Sequence, residues 1–243
     1  ADPDHLNLTS ANIQISSPQL TDVLSVSVGI TGITASFNGT QGLLSLTGSS
    51  NIANYQKVLR TATYSSTSNN PTHYSTKLTR RINIEVSDGD LNSGNTEIIV
   101  TLYPTNNRPE LLFLDGKVDF IENASNLQLD TDLIVKDVDD LNCQKAFVYL
   151  TSGNTEGDIL TANIGSSGLT INYDTPAGIL TIDGNTILSH YQDILRTLSY
   201  INTSDNPDLS GSQKARTVQY LITDGVSWSK ASEITISILS END

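Results

Sequence analysis

Acidic and amide side chains recur along this chain in small groups. Asp137 and Asp139 are separated by one residue, Asp224 precedes a glycine in ITDG, Asn106 and Asn107 sit in TNNRP, and Glu122 follows the apolar run Val118 to Ile121. Asp2, Asp4 and Asp88 stand at corresponding places nearer the N-terminus, and Glu241, Asn242 and Asp243 at the other end. Carboxylates, amides and backbone carbonyls gathered from separate segments suit a hard cation such as Ca2+, which takes several oxygen ligands. Asp137 and Asp139 would point the same way from an extended segment, and Asp224 would emerge at a strand end. Each acid also has a plainer reading. Asp before Gly is a common turn pair, Asp137 to Asp140 suits a solvated loop, and Glu122 an exposed strand end.

Other chemistries find less support. His5, His73 and His190 are scattered, and no nucleophile elbow, HExxH helix or phosphate loop occurs, so the chain reads as a non-enzyme. Cys143 is the only cysteine, which rules out an intramolecular disulfide and suits a small buried hydrophobe. Trp228, the only tryptophan, follows Asp224 in DGVSWSK and reads as a core or loop anchor rather than a sugar platform. Asn7, Asn38, Asn123 and Asn202 head Asn-x-Ser/Thr sequons, acceptors for N-glycosylation in a secreted protein. A chain this rich in Asn, Ser and Thr yields about that many by chance. The net charge of −14 argues against nucleic acid or an anionic membrane as partner. No apolar run approaches the roughly 20 residues of a membrane span, and no signal-peptide pattern is present.

The elements that must position these groups come in two copies. Gly42 to Pro71 aligns without gaps on Gly178 to Pro207 at a constant shift of 136 residues, with Tyr55, Gln56, Leu59, Arg60, Thr61, Tyr64, Asn70 and Pro71 among the identities. Arg80 falls on Arg216, and VSDG at Val86 on ITDG at Ile222. Upstream, with one residue of slippage, Asp2 and Asp4 fall on Asp137 and Asp139. The first copy has no counterpart to the segment from about Glu110 to Lys136, and a sandwich missing a terminal strand exposes an unpaired edge. That absence fits an array cut within a longer protein.

Most apolar residues alternate with polar ones in runs rich in Val, Ile, Thr and Tyr, the period of half-buried strands. One segment departs from it. Ile187, Leu188, Tyr191, Ile194, Leu195 and Leu198 recur at spacings of three and four, echoed by Ile52, Tyr55, Val58, Leu59 and Ala62. The spacing predicts a helix of about three turns, capped by Thr186 or Asn51, with its stripe on the core. The fold expected is all-β: two tandem sandwiches, residues 1–107 and 108–243, each with a short inserted helix.

The order of a strand-ending Glu122, the pair Asp137 and Asp139, Asp224 after the penultimate strand and Asn106-Asn107 before a proline resembles cadherin-like repeats, and the match covers both copies. The segment YQDILRTLSYINTSDNP with Arg216 and ITDG is more similar to the long, about 135-residue repeats of large surface adhesins and matrix proteoglycan-type proteins than to short cadherin domains. The resemblance implies Ig-like Greek-key sandwiches and Ca2+ held between repeats by these residues, stiffening the array. It implies an extracellular or cell-surface location and a protein partner on a cell surface or in the matrix, a second copy included. The departures are a linker reading Asn-Asn where the family has Asn-Asp-Asn, and no clean Asp-Arg-Glu motif, although Asn69, Asp205 and Asp208 lie near its place. An alternative is a receptor ectodomain that binds a protein or glycan through its loops, with calcium incidental.

Overall fold

A computed structural model describes residues 6–112 and 116–240, which divide between two compact units, Ala1–Thr105 and Asn106–Asp243. Both are all-β with a single short helix.

Unit 1 consists of β1 (Asn7–Ile15), β2 (Asp22–Ser25), β3 (Thr34–Asn38), β4 (Leu43–Asn51), α1 (Ile52–Leu59), β5 (Thr63–Ser66), β6 (Thr79–Ser87) and β7 (Thr96–Thr101). A five-stranded sheet in the order β3-β4-β1-β6-β7 faces the antiparallel pair β2-β5. Leu8, Ala11, Ile13 and Ile15 of β1 enter the core. The spacing of three between Leu8 and Ala11 breaks strict alternation, and a register shift between Leu8 and Ser10 absorbs the extra residue.

Unit 2 repeats this plan and adds to it. Its elements are β8 (Glu110–Leu112), β9 (Lys117–Ile121), β10 (Leu127–Gln128), β11 (Ile134–Lys136), β12 (Asn142–Ser152), β13 (Asp158–Thr161), β14 (Thr170–Asp174), β15 (Ile179–Ile187), α2 (Leu188–Arg196), β16 (Ser199–Asn202), β17 (Ala215–Thr223) and β18 (Ser232–Leu239). The main sheet runs β14-β15-β12-β17-β18-β9 and the facing sheet β10-β16-β13, with β8 and β11 paired separately. The bulge recurs between Cys143 and Lys145, so Cys143, Ala146, Val148 and Leu150 all face inward. The residues from Glu110 to Lys136 thus supply β8 to β11, and β9 runs parallel along the outer edge of β18.

The helices are two turns long, shorter than the spacing predicts, because the stripe continues past them: Leu198 is buried beyond the end of α2. Asn51 caps α1, its side chain accepting from the Asn54 amide at 2.8 Å. In α2 the capping position is Ile187, without a side-chain cap, and Thr186 instead bonds His190 Nδ1 at 2.8 Å. Tyr55 and Tyr191 are fully buried, and their hydroxyls donate to the carbonyls of Gly48 and Gly184. Those glycines lie at φ +132° and +135°, a conformation that L side chains rarely adopt.

Each unit buries an ion pair that the alignment carries without naming its acid. Arg216 Nε donates to Asp158 Oδ2 at 2.7 Å, and Arg80 Nε to Asp22 Oδ2 at the same distance. The second arginine nitrogen reaches the carbonyl of Pro207 or Pro71, and Tyr200 or Tyr64 donates to the other carboxylate oxygen. Burial pushes the Asp22 carboxyl up, but the bonds from Arg80, Tyr64 and the Gln19 amide outweigh it and hold the group below its ordinary value. Behind each proline the backbone turns left-handed, at His73, Tyr74 and Ser75 and again at Leu209, Ser210 and Gly211. Non-glycine residues there cost roughly 1–3 kcal/mol each. The arginine grip on the proline carbonyl and the bonds of Tyr74 N and Ser210 N to Asn70 and Asn206 Oδ1 hold the turn in place.

Among the described residues no helix is long and apolar enough to cross a membrane.

Candidate metal site

Four acids of unit 2, Asp137, Asp139, Asp140 and Asp224, lie near one end of β17. Asp137 follows β11, and its segment is a turn rather than the extended segment expected: Asp137 Oδ1 accepts from the amides of both Asp139 (3.0 Å) and Asp140 (3.1 Å). The turn brings a third carboxylate into the group, and oxygens of Asp137, Asp139 and Asp140 lie within 4.8 Å of one another. Asp-x-Asp spacing points to Asp137 and Asp139. Asp140 joins them only because the chain turns, and its one sequence signal is the acidic run DVDD.

Asp224, 8% exposed, arrives from the end of β17. Its Oδ1 caps the Asp-Gly turn by accepting from the amides of Val226 and Ser227. Its Oδ2 accepts from the Asn106 side chain at 3.0 Å, which also reaches Ser227 Oγ. The Asn107 amide donates to both Asp139 oxygens at 3.0 Å. Asn106, Asn107, Asp137, Asp139 and Asp224 are therefore brought together with Asp140, all within unit 2.

The group concentrates negative charge without a matching cation. Among the described residues no lysine or arginine forms an ion pair with any of the four acids. Burial, and after it the neighbouring Asp139, pushes the Asp137 carboxyl up to about 6, although two backbone amides work the other way. Burial raises Asp140 too, with Asp139 and Asp224 adding to it. The buried thiol of Cys143 is pushed up to about 12 by burial and then by Asp137, Asp224 and Asp140, which leaves it inert at neutral pH. Asp137 Oδ2 is buried and finds no hydrogen-bond donor. A buried, undonated carboxylate oxygen among further carboxylates is chemistry that suits a hard divalent cation.

The remaining predicted ligands lie elsewhere. Glu122, 4% exposed, follows β9, and its amide donates to Leu239 O at 2.9 Å. It therefore sits by the end of β18, at the opposite end of unit 2 from Asp224. Asp208, which accepts from Ser240 Oγ at 3.0 Å, is buried at that same end. In unit 1, Asp88 Oδ1 accepts from the amides of Asp90 and Leu91, the same turn that Asp224 makes. Asp2, Asp4 and Asp243 lie outside the described residues. Of the sequons, Asn7, Asn38 and Asn123 are exposed. Asn202 is 5% exposed and its amide nitrogen, the atom a glycan would occupy, donates to Asp158 at 2.6 Å, so it is not presented to solvent.

No protein-family model and no curated protein sequence matches the chain. Solved structures do. Domains 4 and 5 of the S-layer protein SbsC match 66% of this chain and 57% of that one, at 10% identity and a TM-score of 0.32. Extracellular cadherin domains 1–4 of protocadherin gamma B7 match 94% and 42%, at 10% identity and a TM-score of 0.34. Human protocadherin-24 matches 90% and 81%, at 12% identity and a TM-score of 0.31. The chain spans less than two thirds of the first two of these. At such scores the likeness identifies neither a family nor a function.

Proposed function

We propose that this chain is a pair of cadherin-like repeats from an extracellular structural or adhesion protein, stiffened by Ca2+. Asp137, Asp139, Asp140 and Asp224 would hold the ion, with Asn106 and Asn107 adding amide or carbonyl oxygens. The observation that carries this reading is the undonated, buried Oδ2 of Asp137 in a three-carboxylate cluster beside Asp224, which no lysine or arginine among the described residues neutralises. Asn106 and Asn107 continue directly from Thr105, so a cation that fixes the Asn106 side chain beside Asp224 and the Asn107 backbone beside Asp139 would also fix the start of the connecting segment. The ion's contribution is charge neutralisation and ordering. The partner would be a protein on a cell surface or in the matrix, a second copy included.

Calorimetric titration of the whole chain with Ca2+ tests this. Saturable binding is expected, together with a melting temperature that rises with calcium and falls on chelation. Ligand at about 100 times its Kd adds roughly 2.7 kcal/mol. Asp137→Asn keeps an oxygen for the two amides of the turn and removes the charge, so it should weaken binding without unfolding unit 2. A wild-type titration without heat or melting shift, or an unaltered one for the variant, would remove the assignment.

A further inference from the structure

Of the core or loop anchor that its sequence context suggests, Trp228 is not the core residue. It is 42% exposed and lies flat on Phe147, ring centroids 5.3 Å apart and planes within 13°. Trp228, backed by Phe147, borders an open cavity of about 290 Å3 that Gln144, Lys145, Asp183, Thr223, Gly225 and Val226 complete.

Unit 1 supplies an internal control for what the fold requires at these positions. In unit 2, Lys145 pairs across the sheet with Asp183 on one side and Thr223 on the other, and Trp228 bridges Thr223. In unit 1, Ser10 pairs with Thr47 and Ser87, and Asn92 bridges Ser87. Two residues along, Asn12 stands where unit 2 has Phe147. The same ladder and the same bridged turn therefore form with Ser10, Asn12, Thr47 and Asn92. The backbone needs neither the aromatic pair nor the charged pair, and the indole keeps 42% of its surface in solvent, available to a ligand.

From this we infer that unit 2 carries a binding site for a neutral saccharide, with one sugar ring stacked on Trp228. The electron-rich ring face suits the weakly positive C–H groups of a pyranose. Around it, Gln144 offers donor and acceptor, Lys145 donors, Asp183 acceptors and Thr223 a hydroxyl, the mixed set that vicinal hydroxyls need. Lys145 and Asp183 neutralise each other at 2.7 Å, so the rim selects for hydroxyl-bearing ligands over charged ones. The volume lies at the small end of ligand pockets, which suits one or two rings.

Because Trp228 is the sole tryptophan, its emission reports this site alone. The whole chain would be titrated with a panel of neutral methyl glycosides (α-mannoside, β-galactoside, β-glucoside and N-acetyl-β-glucosaminide), with saturation-transfer NMR in parallel. At least one should change the emission saturably, with a Kd on the order of 1 mM. Trp228→Asn and Phe147→Asn install the residues that unit 1 tolerates; they should weaken binding at least about tenfold by NMR while leaving the melting temperature close to wild type. Should either variant fold poorly, Asp183→Thr, likewise taken from unit 1, gives the same test with the indole in place. No saturable response to any glycoside, or undiminished binding by the folded variants, would overturn the assignment. So would tighter binding of N-acetylarginine amide than of any glycoside, which would make Trp228 a cation platform.

Discussion

The two units share a ladder, a bulge, a helix and a buried Arg-Asp pair, yet they bury the same strand differently. Ile234 of β18 is 0% exposed, whereas Ile98, its equivalent in β7, is 47% exposed. Ile236 is fully buried and its equivalent Val100 is only half-buried; Tyr200 is fully buried and Tyr64 half-buried. The cause is one segment. In unit 2, β9 lies along the edge of β18 and inserts Phe120, 1% exposed, edge-on against Tyr200 at 5.0 Å. Among the described residues nothing pairs with the outer edge of β7. Closure of a sandwich edge, rather than the strand's own sequence, decides how much its apolar residues stabilise the fold.

If the shared arginine pair is the lock of each unit, breaking it should have the largest effect of any single change. Arg216→Ala leaves Asp158 charged, buried and short of its main donor, and also frees the carbonyl of Pro207. Loss of one partner of such a pair costs about 3–5 kcal/mol. Urea unfolding followed by Trp228 emission reads unit 2 alone and should show that loss. A change under about 1 kcal/mol would mean that Tyr200 and Asn202 suffice to hold the aspartate.

The edge comparison is next in size. Ile234→Ala empties a closed site and should cost about 2–5 kcal/mol, whereas Ile98→Ala at the open edge should cost under about 1 kcal/mol. Equal costs would show that β7 is covered in solution. Hydrogen exchange sharpens the same contrast without mutation: the amides of β7 should exchange well before those of β18, because edge strands open locally at lower free energy.

The repeat, the strand periodicity and the helix stripe were legible because they are local or self-similar. Tyr55, Tyr191 and Leu195 are core as their spacing predicts, while Leu59, the last residue of α1, is half-buried in a unit with no counterpart to β11, the strand that α2 packs on. Short strands such as β2, β10 and β13 were not legible, since two to four residues carry too little alternation to read. Asp22 and Asp158 were invisible as partners of Arg80 and Arg216: the residues lie 58 apart, and nothing local distinguishes a buried acid from a solvated one. The site residues Asp137, Asp139 and Asp224 were legible as acids at element ends. Asp140 depended on a turn that its sequence shares with many solvated loops. Asn202 shows the converse failure, where a sequon is intact as a pattern and closed by tertiary packing.

The smallest expected effect separates the acids of unit 2 from ordinary surface charge. Burial, and after it Asp139, pushes the folded Asp137 carboxyl up to about 6 from its ordinary value of 3.8. Between those limits the folded state binds more protons than the unfolded one, so stability rises as pH falls through about 6 and the gain is complete near 4. In chelator, unit 2 should therefore melt at a modestly higher temperature at pH 5 than at pH 7, against the usual trend for a salt-bridged aspartate. Asp137→Asn should remove that slope and raise the pH 7 melting temperature of the metal-free protein, the one condition in which losing a carboxylate helps. Calcium should reverse the slope, because protons then compete with the ion for the same oxygens. A metal-free melting profile flat from pH 5 to 7 would mean that the group relaxes or hydrates, and that the crowding of its carboxylates carries no free energy for a cation to relieve.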